Sequence, residues 1–380
     1  KLLKILLKLF FIFFLLPVHA FEIIRDPVFE SYFDFADSNN KNGNNVFLIK
    51  NSEPNAFVFS NKIFFTTELI KLIEDEDALR AIYFHELGHI KKNHLGSRKI
   101  RLENDKKIRK LNDIFSVGLA ILSKNPNLGV ASKLSLDKNL VNNFSKHSIR
   151  HEIEADNFMI NKVEEFGLNT NGLINFFKRL PDQKNHYFQS HPRPKERINL
   201  LNKYSKGEKK NNSTTFEWIK AKYSKNSEIR EFNHFFLNLE KGITDNGLPN
   251  GLIDKSIIQY ELYKKGFLSD QSEQILVNLM KINNNSYIKL EFYNTVIDSH
   301  LDEYYYLIEK EKHNKSFQEE YFYFWIMGKF YDNLEKYELS NFYFCQFFQL
   351  SSSIDKSNFY CNNYDINNIP KIDMSYALFK

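Results

Sequence analysis

The stretch His85-Glu86-Leu87-Gly88-His89 lies inside a long run of helical periodicity. Residues four apart on an α-helix lie one above the other on the same face, so His85 and His89 can offer two imidazoles to one metal ion. Glu86 lies beside them, where its carboxylate can hold a water molecule that the metal activates. The pattern alone also fits two surface histidines on a charged helix, so the rest of the chain has to decide between these interpretations.

The helix that carries this stretch is expected to run from about residue 76 to residue 94. Asp75 is a good N-cap with acidic residues after it, and Gly96 is a typical stop. His94 lies five residues after His89, which on such a helix is off the face that carries the two ligands. The sequence therefore places His94 outside the site.

Short β-rich runs precede this helix. Residues 46–49 are an apolar strand candidate, and the runs 55–59 and 62–65 flank the polar pair Ser60-Asn61. Two such runs around a tight polar turn are typical of a β-hairpin. The edge of either hairpin strand is a candidate for pairing with an extended peptide.

A second cluster, Glu152-Ile153-Glu154-Ala155-Asp156, opens another helical pattern. A metal site built on two histidines of one helix needs a third ligand from a separate element, and Glu152 can supply it. Asp156 lies four residues further on the same helix face, where it can accept a hydrogen bond from the N–H of a ligand imidazole. Glu154 points elsewhere on the helix. The alternative is an acidic pair on the surface.

The chain of 380 residues is long enough for two domains, and a hydrophobic content of 42% is enough for real cores. Lys1, Lys4 and Lys8 precede the apolar run 9–16, which predicts a signal peptide cleaved after Ala20; an uncleaved anchor is the alternative. The three lysines account for part of the net charge of +5, which falls to +2 without them. The composition therefore makes no case for nucleic-acid binding.

Three segments flank the second cluster. Residues 97–112 are strongly charged and predict a solvated helix. Residues 114–136 are more apolar and fit either a buried helix with a loop or a mobile cover of the site that touches a membrane surface. His191 precedes Pro192 in a proline-framed loop, where the proline keeps it extended.

The composition changes after about residue 205, where a charged linker at 206–213 leads into alternating helical patterns and polar breaks. These patterns cover residues 252–265, 271–282, 317–334 and 337–350. Small residues and aromatics around Gly328 and Phe344 resemble a tetratricopeptide (TPR) repeat, and an ordinary helical domain is the alternative. Cys345 and Cys361 could pair in an exported protein or remain two buried thiols.

Together these motifs resemble one family, the gluzincin metallopeptidases that include the CAAX prenyl protease, HtpX and BepA. The resemblance covers about residues 40–205 and is carried by the motifs at 85–89, 152–156 and 190–194. Arg197-Ile198 and Asn55-Ala56-Phe57 also match. The layout with an export signal is most similar to the BepA-like periplasmic branch.

The resemblance implies an α+β fold that is mostly helical. A signal peptide at 1–20 would precede a zincin-like metallopeptidase domain with a small β-sheet at 21–205. An all-α, TPR-like repeat domain would follow at 206–380. The mature chain is then expected in the periplasm.

The resemblance also implies the roles of the motif residues. One zinc ion per chain would be held by His85, His89 and Glu152. Glu86 would be the general base, and Asp156 would support a ligand imidazole.

Further residues follow from the same resemblance. His191 would lie near the metal, either as a fourth ligand that blocks substrate or as a catalytic donor to the oxyanion. Arg197 would anchor the loop of His191 or assist the site. Asn55, Ala56 and Phe57 would bind substrate.

The resemblance implies a zinc endopeptidase that hydrolyses misfolded or misassembled envelope and outer-membrane proteins. The alternative is a chaperone-like or scaffold protein that acts through its TPR-like part and has latent protease activity. The partners of the protein would be unfolded polypeptides and the outer-membrane assembly machinery, and it would contact a membrane peripherally. A peptidase fold without activity is disfavoured, because the ligands and Glu86 are all present.

Overall fold

The computed structural model describes residues 22–36, 46–59, 61–94, 149–180, 191, 194–204, 211–244, 248–283, 285–318, 320, 322–350 and 354–375. The predicted signal peptide and the segments predicted at 97–112 and 114–136 lie outside the described residues. None of the helices within these ranges is long and apolar enough to span a bilayer.

Among the described residues of the first half, four short strands form one sheet. They are β1 (Glu22–Ile24), β2 (Val46–Lys50), β3 (Ala56–Phe59) and β4 (Lys62–Thr66), in the spatial order β1-β2-β4-β3. β3 and β4 are antiparallel, which confirms the hairpin, while β2 and β4 run parallel. Because β4 is paired on both sides, it cannot pair with an extended peptide. Of the two hairpin strands, only β3 remains a candidate for such pairing.

Helices cover the sheet and the site. They are α1 (Pro27–Ser31), α2 (Thr67–Leu72), α3 (Glu76–Lys91), α4 (Ile149–Phe166), α5 (Asn171–Arg179) and α6 (Pro194–Tyr204). The Asp75 side chain accepts a hydrogen bond from the Ala78 N–H, which confirms the predicted N-cap of α3. α3 is buried along most of its length, since it packs against α4, α5 and β3.

The C-terminal end of α3 differs from the prediction. The helix ends at Lys91, three residues before His94, because Asn93 adopts the left-handed conformation with φ 53°. The Asn93 N–H donates to the Ile90 carbonyl at 2.9 Å and the His94 N–H donates to the His89 carbonyl at 3.0 Å. This pair of bonds is the Schellman end of a helix, and it folds His94 back toward His89.

The second half of the described chain is helical. Its helices are α7 (Thr214–Ser224), α8 (Arg230–Glu240), α9 (Lys255–Lys264), α10 (Ser272–Ile282), α11 (Ser286–Val296), α12 (Leu301–Glu311), α13 (Lys315–Gln318), α14 (Phe322–Asn333), α15 (Tyr337–Leu350), α16 (Ile354–Cys361) and α17 (Lys371–Ser375). The helix predicted at 317–334 is divided between α13 and α14. α14 and α15 cross at Gly328, where an added Cβ would lie 2.6 Å from the Phe344 ring. A disulfide joins Cys345 to Cys361, so the paired alternative is the one observed.

Two hydrophobic clusters form the core. The first contains the sheet and extends as far as Trp218 of α7, Phe235 of α8 and Leu262 of α9. The second is built from α9 to α17 and includes Tyr260 and Ile369. Helices α7 and α8 thus belong to the same apolar core as the sheet. The domain boundary at 205/206 stays a prediction from the sequence.

Buried ion pairs connect the N-terminal segment to the helical half. Arg25 donates to Glu30 at 2.7 Å and to Glu320 at 2.5 Å, and the Arg25 side chain is fully buried. Asp26 caps α1 and also accepts from the Tyr223 hydroxyl at 2.5 Å, while the Lys222 ammonium lies 3.0 Å away. Each charge is paired, as burial of a charge requires.

Asp26→Asn tests this connection. Burial raises the pKa of the Asp26 carboxyl, but Lys222 and Tyr223 outweigh it and hold the pKa below its usual value. A carboxylate with a lowered pKa contributes stability above its unfolded pKa of about 4, and this stability is lost as pH falls through the folded pKa. We expect Asp26→Asn to lower the free energy of unfolding at pH 7 by about 3 kcal/mol.

Urea denaturation between pH 7 and pH 2.5 measures the effect, and the difference from wild type should shrink below about pH 4. Asp298→Asn is the matched control, because Asp298 is 61% exposed and pairs with Lys329 at the surface. A loss that does not depend on pH, or one no larger than in the control, would contradict the assignment.

Candidate metal centre

Four buried side chains converge beside the sheet. His85 and His89 come from α3, Glu152 comes from α4, and His191 lies on the segment before α6. One donor atom from each of these residues lies within 4.8 Å of the others. The structure therefore brings the three predicted ligands together and adds His191 to them.

The donor atoms are spaced as ligands of one ion would be. His85 Nε2 lies 3.1 Å from His89 Nε2, and the two oxygens of Glu152 lie 3.5 Å and 3.4 Å from these nitrogens. Tetrahedral coordination with zinc bonds of about 2.0–2.2 Å places ligand atoms about 3.3–3.5 Å apart. The nitrogen–oxygen distances match this spacing and the nitrogen–nitrogen distance is slightly shorter, and the donor types fit the chemistry of a zinc site.

Glu86 is wholly buried next to this group. Neither of its carboxylate oxygens has a hydrogen-bond partner among the described residues, although His191 Nε2 approaches one of them to 3.3 Å. Burial raises the pKa of the Glu86 carboxyl, against the opposing effect of His191 and His85. A buried carboxylate without such a partner is costly, so this position favours a bound water molecule or a polar substrate group.

Asp156 and Arg197 hold the His85 ring. Asp156 Oδ1 lies 2.8 Å from His85 Nδ1, and Arg197 Nη2 lies 2.9 Å from the same oxygen. Burial and the charge of Arg197 lower the pKa of His85, but hydrogen bonds to Asp156 and Glu152 outweigh them and raise it to about 9. With Nδ1 bonded to a carboxylate, Nε2 is the nitrogen that faces the candidate metal position.

His191 connects the group to the sheet edge. Its Nδ1 lies 3.1 Å from Glu152 and 3.2 Å from His85, and its Nε2 lies 3.1 Å from the Ala56 carbonyl oxygen. The Asn55 carbonyl accepts from Thr66 of β4, so strand alternation directs the Ala56 carbonyl to the edge of β3 that faces away from β4. Both predicted roles of His191 require this position, and the choice between them stays open.

The three residues predicted to bind substrate face different ways. Asn55 is paired with β4 through its backbone, and the Phe57 ring stacks on Phe64 in the buried sheet at 5.2 Å between ring centroids. Ala56 is the residue whose carbonyl lies at the edge of β3, next to His191. Their contact with substrate stays a prediction.

The sequence predicts that His94 lies outside the site and that Glu154 points away from it. In the structure, His94 Nδ1 lies 2.9 Å from His89 Nδ1, and His94 Nε2 lies 2.9 Å from Glu154. Neither residue belongs to the four-residue group, but His94 contacts His89 of that group and Glu154 contacts His94. The signal for this arrangement was Asn93, a residue that readily ends a helix in the left-handed conformation.

The site depends on a close crossing of α3 and α4. A Cβ on Gly88 would lie 3.1 Å from both Cα and O of Ala155 and 3.2 Å from Cβ of Phe158. Glycine at this point lets the two helix backbones approach. Their approach brings Glu152 within reach of the histidines.

Gly88→Ala should push α4 away from α3. Overpacking of this kind costs about 1–3 kcal/mol and is partly offset by the gain of about 1 kcal/mol in helix propensity. We expect a lower melting temperature and weaker zinc binding, measured by thermal denaturation and by competition with a chelator. Full zinc affinity with an unchanged melting temperature would show that the crossing tolerates the methyl group.

Comparison with known proteins identifies the class of the first half. Residues 25–205 match Peptidase family M48. The chain therefore carries a peptidase family M48 domain, and the predicted resemblance to the metallopeptidases of this family is confirmed. The mostly helical α+β fold with a small sheet is confirmed as well.

The chain is similar to proteins described as beta-barrel assembly-enhancing proteases. It is 23% identical over 191 residues to the one from Escherichia coli (strain K12), and 22% identical over 191 residues to the one from Yersinia pestis. It is 25% identical over 190 residues to the putative one from Vibrio cholerae. Each match covers 46% of this chain and 39% of the relative's length.

Proposed function

We propose that this protein is a zinc endopeptidase. The observation that carries the proposal is the buried group of His85, His89, Glu152 and His191, beside a Glu86 carboxylate whose oxygens have no hydrogen-bond partner among the described residues. The M48 domain supports it, since the group lies within residues 25–205.

The residues divide the chemistry among themselves. His85, His89 and Glu152 would hold the zinc ion, which when bound polarises the scissile carbonyl and lowers the pKa of its water. Glu86, with its raised pKa, would take a proton from the attacking water and return it to the leaving amine. Burial excludes bulk water, which strengthens each of these interactions.

The substrate in this proposal is an extended polypeptide paired with the edge of β3. Such pairing is made with backbone groups, so it suits unfolded or misassembled chains better than one defined sequence. The relatives are named as proteases that enhance beta-barrel assembly, and on that basis the proposed substrates are envelope and outer-membrane proteins. Export to the periplasm agrees with the disulfide between Cys345 and Cys361, because disulfides persist in oxidising compartments.

The helical half in this proposal docks partner proteins, including the outer-membrane assembly machinery, through TPR-like helix pairs. Its support is the packing of α14 on α15 through Gly328 and Phe344. The shared core of α7 with the sheet would hold such a docking surface in a defined position relative to the site.

Glu86→Gln tests the proposed chemistry. The amide cannot take the proton, so cleavage of an unfolded substrate such as casein should fall by about 10²–10⁴-fold while zinc remains bound. The matched control is Glu165→Gln on α4, where the exposed carboxylate pairs with Lys162. The proposal is wrong if the purified wild type holds no zinc, or if Glu86→Gln cleaves casein as fast as the control.

His191→Ala tests the control of access. His191 lies among the ligand atoms and also bonds the Ala56 carbonyl on the proposed substrate edge, so in this arrangement it occupies space that a substrate needs. We expect the variant to keep its zinc and to cleave casein faster than wild type. A loss of cleavage with zinc retained would instead assign His191 the role of oxyanion donor.

A further inference from the structure

A chain of hydrogen-bonding groups leads away from the metal group through His89. His89 Nε2 faces His85 and Glu152, and His89 Nδ1 lies 2.9 Å from His94 Nδ1. His94 Nε2 lies 2.9 Å from Glu154 Oε2. His94 is buried, although it is not one of the four grouped donors.

The direction of these hydrogen bonds follows from the side of His89 that faces the group. If Nε2 of His89 binds a metal, its proton is on Nδ1, and His94 Nδ1 must accept it. His94 then carries its own proton on Nε2 and donates it to Glu154. Each ring nitrogen of His89 and His94 thus has one defined role as metal ligand, hydrogen-bond donor or hydrogen-bond acceptor.

Glu154 is well suited to end this chain as an acceptor. Its other oxygen accepts from Arg150 Nε at 2.8 Å. Glutamate has an unperturbed pKa of about 4.3, and its contacts with Arg150 and His94 favour the charged form, so Glu154 is a carboxylate at neutral pH. The His151 ring stacks on the His94 ring, with 4.3 Å between the centroids and 10° between the ring planes, and this contact restricts rotation of the His94 ring.

Each of the two proposed ligand histidines of α3 is therefore connected through its Nδ1 to a carboxylate of α4. His85 reaches a carboxylate of α4 directly at Asp156, whereas His89 reaches one through His94. Histidine ligands are commonly oriented by such partners, and loss of a partner typically weakens metal binding or activity by about 10–100-fold.

We propose that His94 and Glu154 are positioning residues that set the tautomer and the ring orientation of His89 for metal binding. The inference rests on the proposed metal site. It extends that site to two residues outside the four donor groups, one on the turn that follows α3 and one on α4.

The alternative is that His94 only fills space in the core, and two substitutions separate the possibilities. His94→Phe keeps the ring shape and removes both hydrogen bonds. His94→Asn loses ring volume, but its Oδ1 can stand where Nδ1 stood and accept from His89. A positioning role predicts weaker zinc binding in His94→Phe than in His94→Asn, and a packing role predicts the reverse order.

Zinc affinity is measured on the full chain by competition with a chromophoric chelator at pH 7.5. We expect His94→Phe and Glu154→Ala to raise the dissociation constant for zinc by about 10–100-fold. The dissociation constants of His94→Asn and Glu154→Gln should lie between those of wild type and of these two variants. Glu154 lies at the edge of the core with its side chain one-third exposed, so its variants need no repacking. Glu165→Gln on the same helix is the control and should bind zinc like wild type.

The melting temperature of the metal-free proteins provides a second measurement that does not depend on cleavage. It should change little in Glu154→Gln, since no apolar contact is lost. Wild-type affinity in both His94→Phe and Glu154→Ala would overturn the inference while leaving the proposed peptidase intact. A wild-type protein that binds no zinc would overturn the proposed function and this inference together.

Discussion

The crossing of α3 over α4 at Gly88 and Ala155 is the constraint on which the site depends. Backbone atoms approach so closely here that a Cβ on Gly88 would lie 3.1 Å from Cα and O of Ala155. Two histidines on one helix can orient a metal only partly, and the remaining donors have to come from another element. The close crossing supplies Glu152 as a donor and brings Asp156 and Glu154 within reach of the two imidazole systems.

Electrostatics around the crossing follow from burial. Glu86, Glu152 and Asp156 are carboxylates in a nearly dry interior, which would raise the pKa of each. The pKa values of Glu152 and Asp156 are nevertheless lowered, since His191 and Arg197 respectively are the leading opposing partners. The pKa of Glu86 stays raised. Glu152 and Asp156 are therefore suited to remain charged and bind their partners, whereas Glu86 is suited to take up and release a proton.

The helical half is bound to this framework by polar as well as apolar contacts. The Ser213 hydroxyl, directly before α7, donates to Glu76 at the start of α3 at 2.8 Å. Lys220 of α7 donates to the carbonyl oxygens of Ile70 and Lys71, where α2 ends. The helix that bears the histidines therefore starts at a junction of both halves, which provides a physical connection between the proposed docking surface and the site.

Local sequence determined the parts of the protein that depend on near neighbours. The four-residue spacing of His85 and His89, the Asp75 cap and the hairpin follow from backbone geometry, so they could be predicted. The register of Glu152 and Asp156 on one helix face is of the same kind. The early end of α3 is also encoded locally, because Asn93 adopts the left-handed conformation before the chain reaches the predicted stop at Gly96.

Only the tertiary structure decided which groups meet across long separations. Glu154 reaches His94 across 60 residues and Arg25 reaches Glu320 across 295, and no local periodicity specifies such pairs. The pairing of β4 on both sides, which leaves β3 as the edge strand of the hairpin, likewise depends on the position of β2. The sequence by itself thus determined the donors and their faces. Helix crossing and strand order decided their partners, because those depend on how whole elements pack.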